Sequence, residues 1–135
     1  MKPLLSLVVV IGLGGCASVP LPPEAAAVTL VSVPSAAVAL YPPKLLATDG
    51  RLTLDGHVFR QYAARTTAKS HLDIALFDAN GKVLLSETVS FAPRELRAGT
   101  SRTMAQPGHY KLPLGELPAG TVRIEVRAHD EAHPL

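Results

Sequence analysis

The stretch that most constrains this chain is "HLDIALFDANGKVLLSETVSF", residues 71–91. Leu72, Ile74 and Leu76 recur at period two, which places three apolar side chains on one face of a strand rather than along a helix. "DANG" (78–81) follows, and Asn80-Gly81 suits the positive φ values of a tight hairpin turn. Residues 82–91 then run back as the partner strand. A lone hairpin with one apolar face is barely stable in water, so the rest of the chain must supply strands that cover it.

Three other segments offer them. "TVRIEVRA" (121–128) alternates Val122, Ile124 and Val126 inward with Arg123, Glu125 and Arg127 outward, after a turn at "LPAG" (117–120). "RLTLDGHVFRQY" (51–62) carries Leu52, Leu54 and Val58 on one face, with a bulge expected at Gly56. "HYKLPL" (109–114) reads as a short strand whose Pro113 confines it to a sheet edge. No stretch shows a sustained helical period. The best helical candidate is "PRELRAG" (93–99), one or two turns at most. With 135 residues, 12 prolines, 10 glycines and no tryptophan, a helical bundle is disfavoured. The fold expected is therefore all-β: one small antiparallel β-sandwich over residues 49–135.

"LFDANGKVLLSETV" and, later, "LPLGELPAGTVRIEVRA" resemble small periplasmic immunoglobulin-like or transthyretin-like modules. In those folds a strand–Asx-Gly hairpin–strand unit and a Leu-Pro-x-Gly-Thr turn before the last strand are common. The resemblance covers about residues 50–128 and is architectural, so it implies a fold and no activity.

The start of the chain is of a different kind. Lys2 provides a short positive region, Leu4 to Leu13 an apolar run, and small residues lead to Cys16, the single cysteine. That order is expected of an export signal over residues 1–15, because the apolar run is shorter than the roughly 20 residues a membrane-spanning helix needs. Leu13-Gly14-Gly15-Cys16 resembles the lipobox of bacterial lipoproteins: an aliphatic residue, two small residues, then cysteine. The resemblance implies cleavage just before Cys16, a diacylglyceryl group on its thiol, and often a further acyl chain on the new amino group. A thiolate is the side-chain nucleophile best suited to that alkylation. Ala17 in the following position implies sorting to the outer membrane, held facing the periplasm, with the inner membrane as the alternative. Two or three acyl chains anchor stably where one does not.

Residues 16–48 then read as a lipidated, proline-rich tether. Six prolines and one charge, Glu24, lie between Ala17 and Pro43. Proline fixes φ and removes a donor, so an extended segment is expected instead of a helix. "AVTLVSV" (27–33) and "AAVALY" (36–41) are β-compatible and could lie as edge strands against the domain.

Candidate chemistry is sparse. The tail "HDEAHPL" (129–135) holds His129, Asp130 and His133. Two histidines four apart would share a helical face and could chelate copper or zinc, although the intervening Asp-Glu-Ala departs from the HExxH of zinc proteases. Met104 and His109 are further potential ligands. Asp78 and Asn80 are a fragment of calcium-loop chemistry, but no acidic residue closes the loop, so the hairpin turn is the better reading. Arg94, Arg97 and Arg102 in "PRELRAGTSR" could contact anionic head groups or an acidic partner surface. Neither a G-x-S-x-G elbow nor a glycine-rich phosphate loop follows a strand. A net charge of +2 is too small for a nucleic-acid footprint. The expectation is a membrane-anchored periplasmic lipoprotein, not an enzyme. Its β-sandwich would bind or scaffold an envelope protein through an edge such as 109–114 or the face of 121–128. Apart from the lipid on Cys16 no cofactor is expected; the alternative is a copper- or zinc-binding protein using His129, Asp130 and His133.

Overall fold

The computed structural model describes residues 19–100 and 102–131. Period-two alternation and turn chemistry produce eight strands: β1 (Thr29–Val33), β2 (Val38–Leu40), β3 (Lys44–Thr48), β4 (Arg51–Arg60), β5 (His71–Phe77), β6 (Val83–Val89), β7 (Gly108–Gly115) and β8 (Arg123–His129). One four-residue helix, α1 (Pro23–Ala26), precedes them. Two four-stranded sheets face each other as a small β-sandwich. One runs β1-β8-β5-β6; in the other, β4 lies between β7 and the pair β2 and β3. All pairings are antiparallel except β1 with β8, which run parallel.

The inward positions of facing strands make the core. Leu54, Val58, Leu72, Ile74, Leu76, Ile124 and Val126 are each fully buried, and Val38, Tyr110, Phe91 and Leu96 close its upper part. Burying a side chain of this size contributes about 1.5–3 kcal/mol. With no cysteine between residues 19 and 131, this burial stands in place of a disulfide.

The hairpin between β5 and β6 forms as its sequence predicts. The Asp78 carboxylate accepts from the Asn80 and Lys82 amides, both at 2.9 Å, and Gly81 takes φ +79°. The LPAG turn likewise places Gly120 at φ +86°.

Three local expectations need correction. Gly56 is not a bulge: the β4–β7 register runs unbroken from Leu54–Leu112 to Val58–Gly108, and the irregularity lies between Leu52 and Thr53. Gly56 instead makes room for Tyr110, since a Cβ there would sit 2.3 Å from the Tyr110 hydroxyl. Val122 is 43% exposed rather than inward, because the β5–β8 ladder ends at Phe77–Arg123; Ala128 takes the third inward place. Residues 93–95 form bends and 96–99 are irregular, so there is no helix here. The Leu96 amide donates to the Thr67 hydroxyl at 2.8 Å, a partner from another loop, and Leu96 itself is buried in the core. In the proline-rich stretch, β1 and β2 fall within "AVTLVSV" and "AAVALY", the segments read as β-compatible, and β3 follows them. All three lie at sheet edges, as the proline content requires: Pro42-Pro43 interrupt pairing between β2 and β3 along the same side of β4.

Candidate functional site

Cys16 and His133 lie outside the described residues. His129 ends β8, on a strand and not on the helical face that the four-residue histidine spacing invoked. Its Nε2 is 3.2 Å from the Asp73 carboxylate, and its ring stacks on that of His71 with centroids 5.3 Å apart. Asp130 turns elsewhere. It accepts from the Ser35 hydroxyl at 2.5 Å and from the Ala37 amide at 3.2 Å, strapping the start of β2 to the end of β8. Neighbouring residues at a strand end point apart, so His129 and Asp130 do not converge on one centre. Met104 is 95% exposed, and His109 pairs with Asp55 on the sheet opposite that of His129. No group of three or more histidine, cysteine or acidic side chains able to hold a metal ion occurs among the described residues.

Register creates two arrangements that local spacing does not reveal. His57 and His109 are cross-strand partners on the outer face of β4 and β7, with ring centroids 4.9 Å apart. His109 Nε2 lies 2.8 Å from Asp55, whose carboxylate also faces Lys111 at 3.8 Å. His71 and His129 repeat the pattern across β5 and β8, with Asp73 beside them. Each cluster sets an aspartate two residues from a histidine on one strand face (Asp55/His57 and His71/Asp73). That half was readable from period two; the second histidine needs the sheet register.

Beneath the first cluster, the Tyr110 hydroxyl is buried with no protein hydrogen-bond partner among the described residues. Burial is the main reason its pKa is pushed far above the usual phenol value, and the Asp55 charge adds to it. Such a hydroxyl cannot serve as a base near neutral pH.

Of the two surfaces expected to make contacts, the β8 face is engaged within the chain, whereas the β7 edge is met by one isolated bridge among the described residues. On the β8 face, Glu125 accepts from Arg123 at 3.1 Å and from Arg127 at 2.8 Å, and the Arg123 guanidinium lies 4.0 Å above the Phe77 ring. The β7 edge is bridged at His109 by the Ala92 backbone.

The loops 61–70 and 90–107 tell a different story, which the run "PRELRAGTSR" announced only in part. Arg60 donates to the carbonyls of Ala64 and Arg65 and lies 4.0 Å from Glu95. Thr67 donates to the Arg94 carbonyl at 2.9 Å. Glu95 accepts from the Thr66 hydroxyl at 2.6 Å and the Thr67 amide at 3.2 Å; the Thr66 bond is the largest cause of its lowered pKa. Arg94 is held by Ser90 and the Ala68 carbonyl. These bonds fix both loops as one surface at the far end of the sandwich from α1. α1 sits at the opposite end, where Pro22 and Glu24 share a hollow with Gly50, Gly115 and Leu117.

No helix among the described residues is long and apolar enough to cross a membrane. No protein-family model matches the chain, and neither a curated protein nor a solved structure matches it. Fold and site therefore define a small β-sandwich with internally paired histidine clusters and one side-chain-built end.

Proposed function

We propose that this chain is a lipid-anchored protein of a bacterial outer membrane, facing the periplasm. In this reading Cys16 is its attachment point and its β-sandwich is a non-catalytic module that binds or scaffolds an envelope protein. The observation that carries the reading is the run from Lys2 through the apolar stretch to Leu13-Gly14-Gly15-Cys16. The geometry of the domain is compatible with it. Six residues separate Cys16 from α1, a reach of at most about 25 Å. The ten residues of β4 span about 33 Å. The end that carries α1 would thus lie near the lipid and the 61–70/90–107 end away from it.

The test is replacement of Cys16 by Ser followed by membrane fractionation. The wild-type chain is expected in the outer-membrane fraction with a lipid-mass increment on residue 16, and the variant in the soluble periplasmic fraction. A variant that stays in the membrane contradicts the reading.

A further inference from the structure

The modest net charge of +2 conceals a polar distribution. At the far end lie Arg60, Arg65, Lys69, Arg94, Arg97 and Arg102, against only Glu95, Asp130 and Glu131. Two of those three carboxylates are already taken: Glu95 by Thr66, Thr67 and Arg60, and Asp130 by Ser35 and Ala37. Arg65, Lys69, Arg97 and Arg102 are exposed, and none has a carboxylate partner among the described residues. At the α1 end the balance reverses: Glu24, Asp49, Asp78 and Glu116 stand against Arg51, Lys82 and Arg123, the last of which is taken by Glu125.

The far end also exposes side chains that favour contact with protein. Tyr62 and Met104 are each 95% exposed, the two most exposed large apolar side chains among the described residues. Tyrosine, methionine and arginine are enriched at protein interfaces, and exposed cations there steer association with an acidic partner. Two hollows flank this surface. One, of about 540 Å³, is lined by Ala37 and Ala64, with Arg65 and Lys69 on it and with Asp130, engaged by Ser35, and Glu131 as its acidic members. The other, of about 590 Å³, lies between Arg60, Arg97 and Met104. Residues 60–67 and 94–96 are pre-ordered by Thr67, Arg60 and Glu95, and Thr100 and Thr103 close a local turn beyond them, so docking would order little additional chain.

We infer that the far end, built from residues 60–69, 94–100 and 102–104, is a docking surface for an acidic protein segment carrying apolar side chains. This rests on the proposed anchoring only for its orientation. Head groups of the anchoring membrane are the less favoured occupant, because the end nearest the anchor is the anionic one and the cationic end is remote.

The test titrates the full chain with a fluorescein-labelled peptide of alternating glutamate and leucine, read by anisotropy, and separately with phosphatidylglycerol vesicles. The Arg65→Glu/Arg97→Glu chain is expected to bind the peptide at least tenfold more weakly. An Arg51→Glu/Lys82→Glu chain, with the same change in net charge at the other end, is expected to change less than twofold. Tyr62→Ala/Met104→Ala is expected to weaken binding severalfold with charge unchanged, and thermal unfolding of each chain checks that the fold is retained. Arg65→Gln/Arg97→Gln replaces the reversal if that chain fails to fold. Equal losses from both charge pairs, no saturable peptide binding, or tighter binding to the vesicles than to the peptide overturns the inference. Running the titration with and without Cys16→Ser separates this result from the anchoring claim, because the surface does not need the lipid.

Discussion

The two ends of the sandwich are built by different chemistry. At the α1 end the strands are joined by short turns, with left-handed backbone at Asp49, Gly50, Gly81, Gly115 and Gly120 and an aspartate closing its own turn at 78. At the other end, long loops are held by side chains that reach across to the backbone of a different loop: Thr67 to Arg94 and Leu96, Arg60 to Leu96, Asp130 to Ala37. A turn encoded in four adjacent residues forms locally, so a single substitution there disturbs little beyond the turn itself. A loop pair fixed by distant side chains depends on a few buried polar contacts, and it can display a charged surface that core packing does not dictate.

If that contrast is right, the far end should be the more fragile to single polar changes. Thr67→Val keeps the shape but removes a hydroxyl that both donates to the Arg94 carbonyl and accepts from the buried Leu96 amide. Two groups lose their partner, so a loss of about 3 kcal/mol is expected in urea unfolding. A change under about 0.5 kcal/mol would show that the loops stand without it. Asp130→Ala should cost about 2 kcal/mol, because it frees the Ser35 hydroxyl and the Ala37 amide that start β2. At the α1 end, Gly81→Ala meets no neighbour but forces an L side chain to φ +79°, and about 1 kcal/mol is expected. A larger loss at Gly81 than at Thr67 would reverse the comparison.

The smallest effect concerns pH. Glu95 has a lowered pKa in the folded state, chiefly through the Thr66 hydroxyl. Its contribution is therefore fully present above the ordinary carboxyl value of 4.5 and is lost as pH falls through the folded value. Glu95→Gln should flatten that part of the acid limb of the unfolding midpoint while leaving the midpoint's trend above pH 5 unaltered. An identical acid limb in both chains would separate Glu95 from the loop contact.

This division also explains what the sequence disclosed. Leu72, Ile74, Leu76, Asp78 and Gly81 announce the central hairpin because everything they need lies within a dozen residues. Leu52, Leu54, Val58, Ile124 and Val126 were legible as core from alternation alone. Thr67 was not, since nothing in "RTTAKS" reveals a carbonyl and an amide at residues 94 and 96. The helix expected at 93–99 failed for the same reason: its central amide had a better partner in another loop. The prolines of residues 17–43 excluded central strands and long helices but could not show that β1 would pair in parallel with β8. Of the candidate site, the aspartate–histidine pairs were half visible. The charge polarity became visible only when the fold brought residues 60–69 beside residues 94–100 and 102–104.

The central claim is an orientation: the α1 end at the lipid and the cationic end away from it. It is tested most directly by energy transfer from a donor fluorophore to acceptor-labelled lipid in vesicles carrying the full lipidated chain. The donor is attached at position 80 in one chain and at position 62 in another, both highly exposed sites. The account predicts markedly stronger transfer from position 80. Equal transfer from the two sites, or stronger transfer from position 62, would contradict it.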